Sequence, residues 1–175
     1  MSHDARPAAD EYDPYYSAYI DRIAGNKVDE VLRQQKVETE TLLSGLTDEA
    51  AIFRYAPDKW TVKEVVGHIC DTERIFAYRA LCIARGDDQA LPGMDQDLYA
   101  AGANFDSRSV QSLAEEYATI RSATLSLFDN LDSESWLRRG IANGVGVSVR
   151  ALAYIIAGHE SHHIHILRER YELGS

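Results

Sequence analysis

The sequence is poor in the features that mark secreted, membrane-bound or nucleic-acid-binding proteins. It has only two cysteines in 175 residues, Cys70 and Cys82. Both fall on one expected helix, whose rise separates them by about 18 Å, beyond disulfide reach within one chain. Two reduced thiols are therefore expected. No run approaches the roughly 20 apolar residues of a membrane span. The opening stretch MSHDARPAADEYD lacks the apolar segment of a signal peptide. Basic side chains are outnumbered, 18 against 28 acidic, for a formal charge of −10. A surface of that sign repels phosphate backbones and anionic lipid. The expectation is a cytoplasmic protein that acts on a small molecule and has neither nucleic acid nor membrane as partner.

Strand-like alternation is scarce as well, and no internal repeat or low-complexity segment is visible. What the chain does have is helical spacing. A single domain over residues 1–175 is expected, with residues 1–14 as a loose, polar extension. Tyr15, Tyr16, Tyr19, Ile20 and Ile23 then suggest a short amphipathic turn packed on the body of the protein. A first long helix spans about Lys27 to Ser44, with Val28, Val31, Leu32, Thr39, Leu42 and Leu43 at helical spacing and Gly45 as its stop. A short helix begins at Thr47, and Pro57 ends that segment. Thr61 and Glu64 form a capping-box pattern, with Trp60 placed as a hydrophobic staple. The second long helix follows as far as Arg85-Gly86.

The polar stretch from Gly86 to Asp106 is too long for a tight turn and can carry the chain across a bundle, so that the next helix starts in the same direction. Asp106 and Ser107 or Ser109 cap a third helix through Phe128. Asp132 to Leu137 reads as a helical turn, and Asn143-Gly144-Val145-Gly146 as a loop. Ser148 caps the last helix, which reaches about Tyr171. The fold class is all-α, and four amphipathic helices of this length make a four-helix bundle.

On the last helix the seam reads Leu152, Ile155, Ile156, His159, His163, Ile166. The two histidines take places where apolar side chains belong. At i and i+4 they lie about 40° apart around the axis and about 6 Å apart along it, so both imidazoles can reach one ion. Buried ring nitrogens would otherwise need hydrogen-bond partners. His68, on the apolar arc of the second helix beside Val65, Thr72 and Ile75, supplies a third ligand. Three histidines with an open position are the pattern of a catalytic site rather than a closed structural one. The segment from His159 to His163 also spells the zinc-peptidase motif H-E-x-x-H. That match is accidental: only twelve residues follow His163, Ile166 stands where the extended motif has glycine, and no strand precedes the helix. Glu160, about 100° round from His159, is expected to face solvent or a partner chain. His162 and His165 read as polar boundary residues, and His3 carries no signal.

At Trp60-Thr-Val-Lys-Glu-Val-Val-Gly-His-Ile-Cys-Asp-Thr-Glu-Arg, at Pro92-Gly-Met-Asp-Gln-Asp and at Ala157-Gly-His-Glu-Ser-His-His, the chain resembles the DinB/YfiT-like family of metalloenzymes, which is distinct from the DNA polymerase that shares the DinB name. The resemblance covers roughly Ala18 to Tyr171. It matches the family's metal histidines to His68, His159 and His163. It also implies up-down-down-up helix order, a divalent zinc or nickel ion, homodimers in many members, and thiol-dependent S-transferases and a mycothiol-dependent maleylpyruvate isomerase among its relatives.

An ion held by three neutral ligands stays electrophilic and can activate water or hold a thiol as thiolate. The leading expectation is thiol transfer with a low-molecular-weight thiol as cosubstrate. Metal-dependent hydrolysis and a non-catalytic module tied together by metal are the alternatives. Asp71, one turn beyond His68, can serve as an acceptor for His68 or as a general base, or be a solvated carboxylate. Arg74 and Arg79 carry forks suited to a carboxylate, although ion pairs, with Glu73 for one, account for them more simply. Asp95, Asp97 and Asn104 lie in the long connection, which can cover one end of the bundle, and capping explains them equally well.

Overall fold

Three of the four long helices start at a side-chain cap. In this computed structural model, which describes residues 5–173, α3 (Val62–Ala84) opens on a complete capping box. Thr61 Oγ1 accepts from the Glu64 amide at 3.0 Å, and the Glu64 carboxylate accepts from the Thr61 amide at 2.7 Å. Ser109 caps α5 (Val110–Asp129) and Ser148 caps α7 (Val149–Arg170) in the same sense. α2 (Val28–Ser44) lacks a side-chain cap but carries Asp29 and Glu30 in its first turn, where the helix dipole favours negative charge. A one-turn helix, α1 (Ser17–Ile20), precedes it.

Side-chain contacts fix the directions of the four long helices. Arg33 pairs with Asp129 at 2.5 Å and Lys36 reaches Ser122 at 2.9 Å, so α2 and α5 are antiparallel. Lys63 bonds the Arg108 carbonyl and Glu73 bonds Arg121, so α3 and α5 run parallel. Tyr171 donates to the Trp60 carbonyl while His159 meets His68, which sets α7 against α3. Gln35 donates to Ala157 and Thr39 to Glu160, which makes α2 and α7 parallel. The order is up-down-down-up, with consecutive helices α2 and α3 on opposite corners. The long connection after α3 returns the chain to the end where α3 began.

The apolar core has two halves. One gathers Leu32, Phe76, Ala80, Leu125, Leu152 and Ile155. The other gathers Leu43, Val65, Ile69, Leu113, Tyr117 and Leu167. Between them along every helix lies a polar belt: Thr39 on α2, His68, Thr72 and Glu73 on α3, Arg121 on α5, and His159 and Glu160 on α7, all buried. Such groups are tolerated inside only when they satisfy one another or a ligand.

Several connections depart from the sequence reading. The stretch 86–106 contains a helix, α4 (Gln96–Ala103), capped by the Asp95 carboxylate accepting from the Asp97 and Leu98 amides and ended by Asn104 at φ 51°. Asp95 and Asn104 are thus helix-end residues. Asn143-Gly144 is the turn of a hairpin between β1 (Arg139–Ala142) and β2 (Val145–Ser148), with Ala142 opposite Val145. Both turn residues have positive φ, 54° and 76°, as a two-residue hairpin requires. Leu91 adds a single bridge to the hairpin at Ala142. The expected turn after Leu131 is α6 (Ser133–Leu137), capped by Asp132.

The N-terminal segment is not loose from Ala5 onward. Residues Ala9–Glu11 form a 3-10 turn, and Glu11, 3% exposed, bonds Ser148 and Arg150 at the start of α7. His3 lies outside the described residues. Both cysteines are free thiols, Cys70 buried and Cys82 half-buried. Among the described residues, no helix is long and apolar enough to cross a membrane.

Candidate metal centre

The belt brings His68, His159 and His163 to one point. Their Nε2 atoms face one another, 3.0 Å between His68 and His159 and 3.1 Å between His163 and His159. All three ligand atoms lie within 4.8 Å of one another. Burial alone pushes the His68 pKa down to about 4. Burial, helped by the neighbouring histidines, holds His159 and His163 well below the ordinary imidazole value. Near pH 7 all three rings are therefore neutral.

Neutral imidazoles cannot satisfy this arrangement among themselves. Each Nε2 is either a donor or an acceptor, never both. If His159 Nε2 carries a proton it serves one neighbour and confronts the other. If it is bare, its single lone pair faces two rings. A cation accepts all three lone pairs at once. Tetrahedral zinc with nitrogens at about 2.0–2.1 Å places those nitrogens about 3.3 Å apart, close to the two separations of 3.0 and 3.1 Å that His159 makes with His68 and His163. The residues fit a divalent ion.

The surroundings hold the rings in place. Thr72 Oγ1 lies 3.4 Å from His68 Nδ1, one turn on along α3, and accepts that proton when Nε2 points inward. The Trp60 ring sits 4.8 Å from the His68 ring, and Tyr19 sits 5.5 Å from His159. Glycine precedes two of the three histidines. At Gly158 a Cβ would overlap the backbone carbonyl of Tyr19, and at Gly67 the ring of Phe105. Gly158 lets the segment of Tyr19, whose ring meets His159, approach α7, and Gly67 lets the Phe105 ring approach α3.

Other sequence candidates are placed differently. Asp71 is half-buried and pairs with Arg74 at 3.5 Å. Burial pushes its carboxyl pKa up against the pull of Arg74. The contact to His68 belongs to Thr72. Arg74 pairs with Asp71 and Glu116, not with Glu73. Glu160 faces neither solvent nor partner: it is 1% exposed and accepts from Thr39 at 2.7 Å, from Tyr117 at 2.6 Å and from Arg121. Arg121 also forms a fork with Glu73 at 2.8 and 2.7 Å. The Glu160 carboxylate is thus tied into this network, where the peptidase motif would need a free general base. His162 lies on the flank against Tyr19 and His163, and His165 is exposed.

Two cavities flank the triad. One, of about 200 Å³, has His68 and His159 in its wall with Tyr15, Tyr19 and Arg79. The other, of about 250 Å³, has His163 with Trp60, Tyr55 and Lys59. Gln96, the first residue of α4, lines both, so the helix missed in sequence covers the site.

Comparison with known proteins agrees with this fold. The family model described as the DinB superfamily matches residues 32–167. The structure is similar to YfiT from Bacillus subtilis, described as a probable metal-dependent hydrolase with an unusual four-helix bundle topology. The TM-score is 0.75 at 17% identity over 94% of this chain and 95% of that one. It is also similar to the mycothiol-dependent maleylpyruvate isomerase, with TM-score 0.66 and 9% identity over 83% of this chain and 61% of that one. Curated proteins yield no sequence match. The match to the family model spans most of the chain, all three histidines included, and the chain belongs to the DinB superfamily.

Proposed function

We propose that this protein is a metal-dependent S-transferase that joins a low-molecular-weight thiol to a small electrophile at the His68–His159–His163 site. One observation carries the proposal: three neutral Nε2 atoms, those of buried His68 and His159 and of half-buried His163, converge between two separate cavities. Zinc and nickel both suit an imidazole donor set. When bound, such an ion supplies Lewis acidity and makes a thiol or water nucleophilic at neutral pH. The three histidines bind, Thr72 fixes the His68 tautomer, and Trp60 and Tyr19 shield the rings from water. Two cavities give two organic reactants a place each, one beside His68 and His159 and the other beside His163. In the transfer an S–C bond forms, the leaving group departs and the thiol proton is released. Asp71, held by Arg74 on the flank of α3, is proposed as no more than a route for that proton.

The likeness to YfiT favours a second reading, hydrolysis with water as the nucleophile. Turnover that requires an added thiol selects the transferase, and turnover without one selects the hydrolase. The metal site itself is tested by elemental analysis of purified wild type beside His68→Ala and His163→Ala. Stoichiometric zinc or nickel in the wild type and its loss from both variants is expected. Full metal content in both variants would rule the site out.

A further inference from the structure

We infer that the cavity beside His68 and His159 recognises a carboxylate through Arg79, so that the substrate is a small organic acid whose carboxylate lies away from its reacting atom. The inference rests on the function proposed above only for the identity of the reacting end.

Arg79 is 4% exposed, yet no Asp or Glu among the described residues forms an ion pair with it. Its polar neighbours are the Pro92 carbonyl, which accepts from Nη2 at 2.7 Å, and the Tyr16 hydroxyl. The guanidinium also lies over the Phe76 ring, 5.2 Å from its centroid. A guanidinium has five donors, and these neutral partners leave its charge uncompensated. A buried charge without a counter-charge is costly, and burial accordingly lowers the Arg79 pKa while Tyr16 opposes the shift.

The other buried arginine makes the contrast. Arg121 has two carboxylates, Glu73 and Glu160, and lines neither of the two cavities beside the triad. Arg79 has none and faces the cavity that holds two of the three histidines. No Asp or Glu among the described residues lines that cavity, although the chain as a whole carries −10. The pocket is thus a cationic site in an acidic protein, and its Tyr15, Tyr16, Tyr19 and Phe76 rings suit an apolar or aromatic body. The planar fork of arginine suits a carboxylate.

Position sets where the acid group sits. His68 and Arg79 are eleven residues apart on α3, about 16 Å of rise. Helix side chains lean toward the N-terminus, so the guanidinium comes back toward the histidines without reaching them. A carboxylate held there belongs to the far end of the substrate.

The test uses benzoate, its neutral counterpart benzamide, and inorganic phosphate, measured by calorimetry on metal-free and zinc-loaded protein. Metal-free wild type is expected to bind benzoate about 10–100-fold more tightly than benzamide, the range of one charge-assisted hydrogen-bonded pair. Arg79→Met should remove that preference while leaving benzamide affinity unchanged, and His163→Ala should keep it. Equal affinities in the wild type, or binding of neither probe, would overturn the inference. So would a preference that survives in Arg79→Met, or an equal loss for both probes, which would mark Arg79 as a support for the Pro92 segment alone. Tighter binding of phosphate than benzoate would overturn the carboxylate assignment. Failure of zinc to bind would sink the proposed function while leaving the benzoate preference readable in the metal-free protein.

Discussion

Burial sets the protonation of the histidines. An unfolded imidazole titrates near 6.5, whereas His68 in the fold titrates at about 4. Between those values the unfolded chain takes up a proton that the folded chain refuses, so acid favours unfolding. The stability tied to neutral His68 is full above about pH 6.5 and is lost as the pH falls toward 4. In chelator-treated protein, urea unfolding should therefore show a loss on the order of 2 kcal/mol from this residue between pH 7.5 and 5. His68→Asn should flatten the pH profile by that share, and an unchanged profile would contradict the assignment. Single residues were unevenly legible in sequence. His159 and His163 interrupt an apolar seam at i and i+4, which spacing alone reveals. Thr72, Arg79 and Glu160 are defined by partners from elsewhere in the chain. Glu160 looked like a surface carboxylate because nothing local says that Thr39, Tyr117 and Arg121 converge on it.

Among the elements, legibility follows local chemistry. The starts of α3 and α7 were readable because Thr61, Glu64 and Ser148 act within their own first turns. The hairpin was not, because its strands have four residues each and Gly140 and Gly146 hide the alternation. Asn143-Gly144 is the one local signal of the turn, and with strands this short it is equally compatible with a loop. α4 escaped notice because a short helix rich in Ala and Gly lacks an apolar stripe. The contact between α1 and α7 depends on one missing side chain. At Gly158 a Cβ would overlap the Tyr19 backbone, which is less able to move than a side chain. Helix propensity alone favours Gly158→Ala by about 0.8–1 kcal/mol, whereas overpacking costs about 1–3 kcal/mol. The second effect should win. The variant is expected to lose up to about 2 kcal/mol net and so to melt up to about 8 °C lower, at roughly 2–4 °C per kcal/mol for a chain of this size, and to bind zinc more weakly as Tyr19 shifts from His159. A melting point at or above wild type would show that α1 can yield.

For the molecule as a whole, the polar belt divides one core into two and ties all four long helices together at the level of the triad. Arg121 is its hub: it bonds Glu73 on α3, Glu160 on α7 and the Leu32 carbonyl on α2. Burial alone would lower the Arg121 pKa, but Glu160 and Glu73 outweigh it and raise the value. Removing the hub strands two carboxylates in the interior, a loss of about 3–5 kcal/mol. Replacing all three charges together leaves none stranded, and a buried network exchanged as a unit is often near neutral. Arg121→Met should therefore lower the melting temperature by about 6–20 °C. Adding Glu73→Gln and Glu160→Gln to it should restore most of that loss, although each alone is destabilising. Thermal melts of the singles and the triple measure the coupling. If the triple variant loses the sum of its parts, each charge contributes independently, and the belt is not the single cooperative layer that its bonds describe.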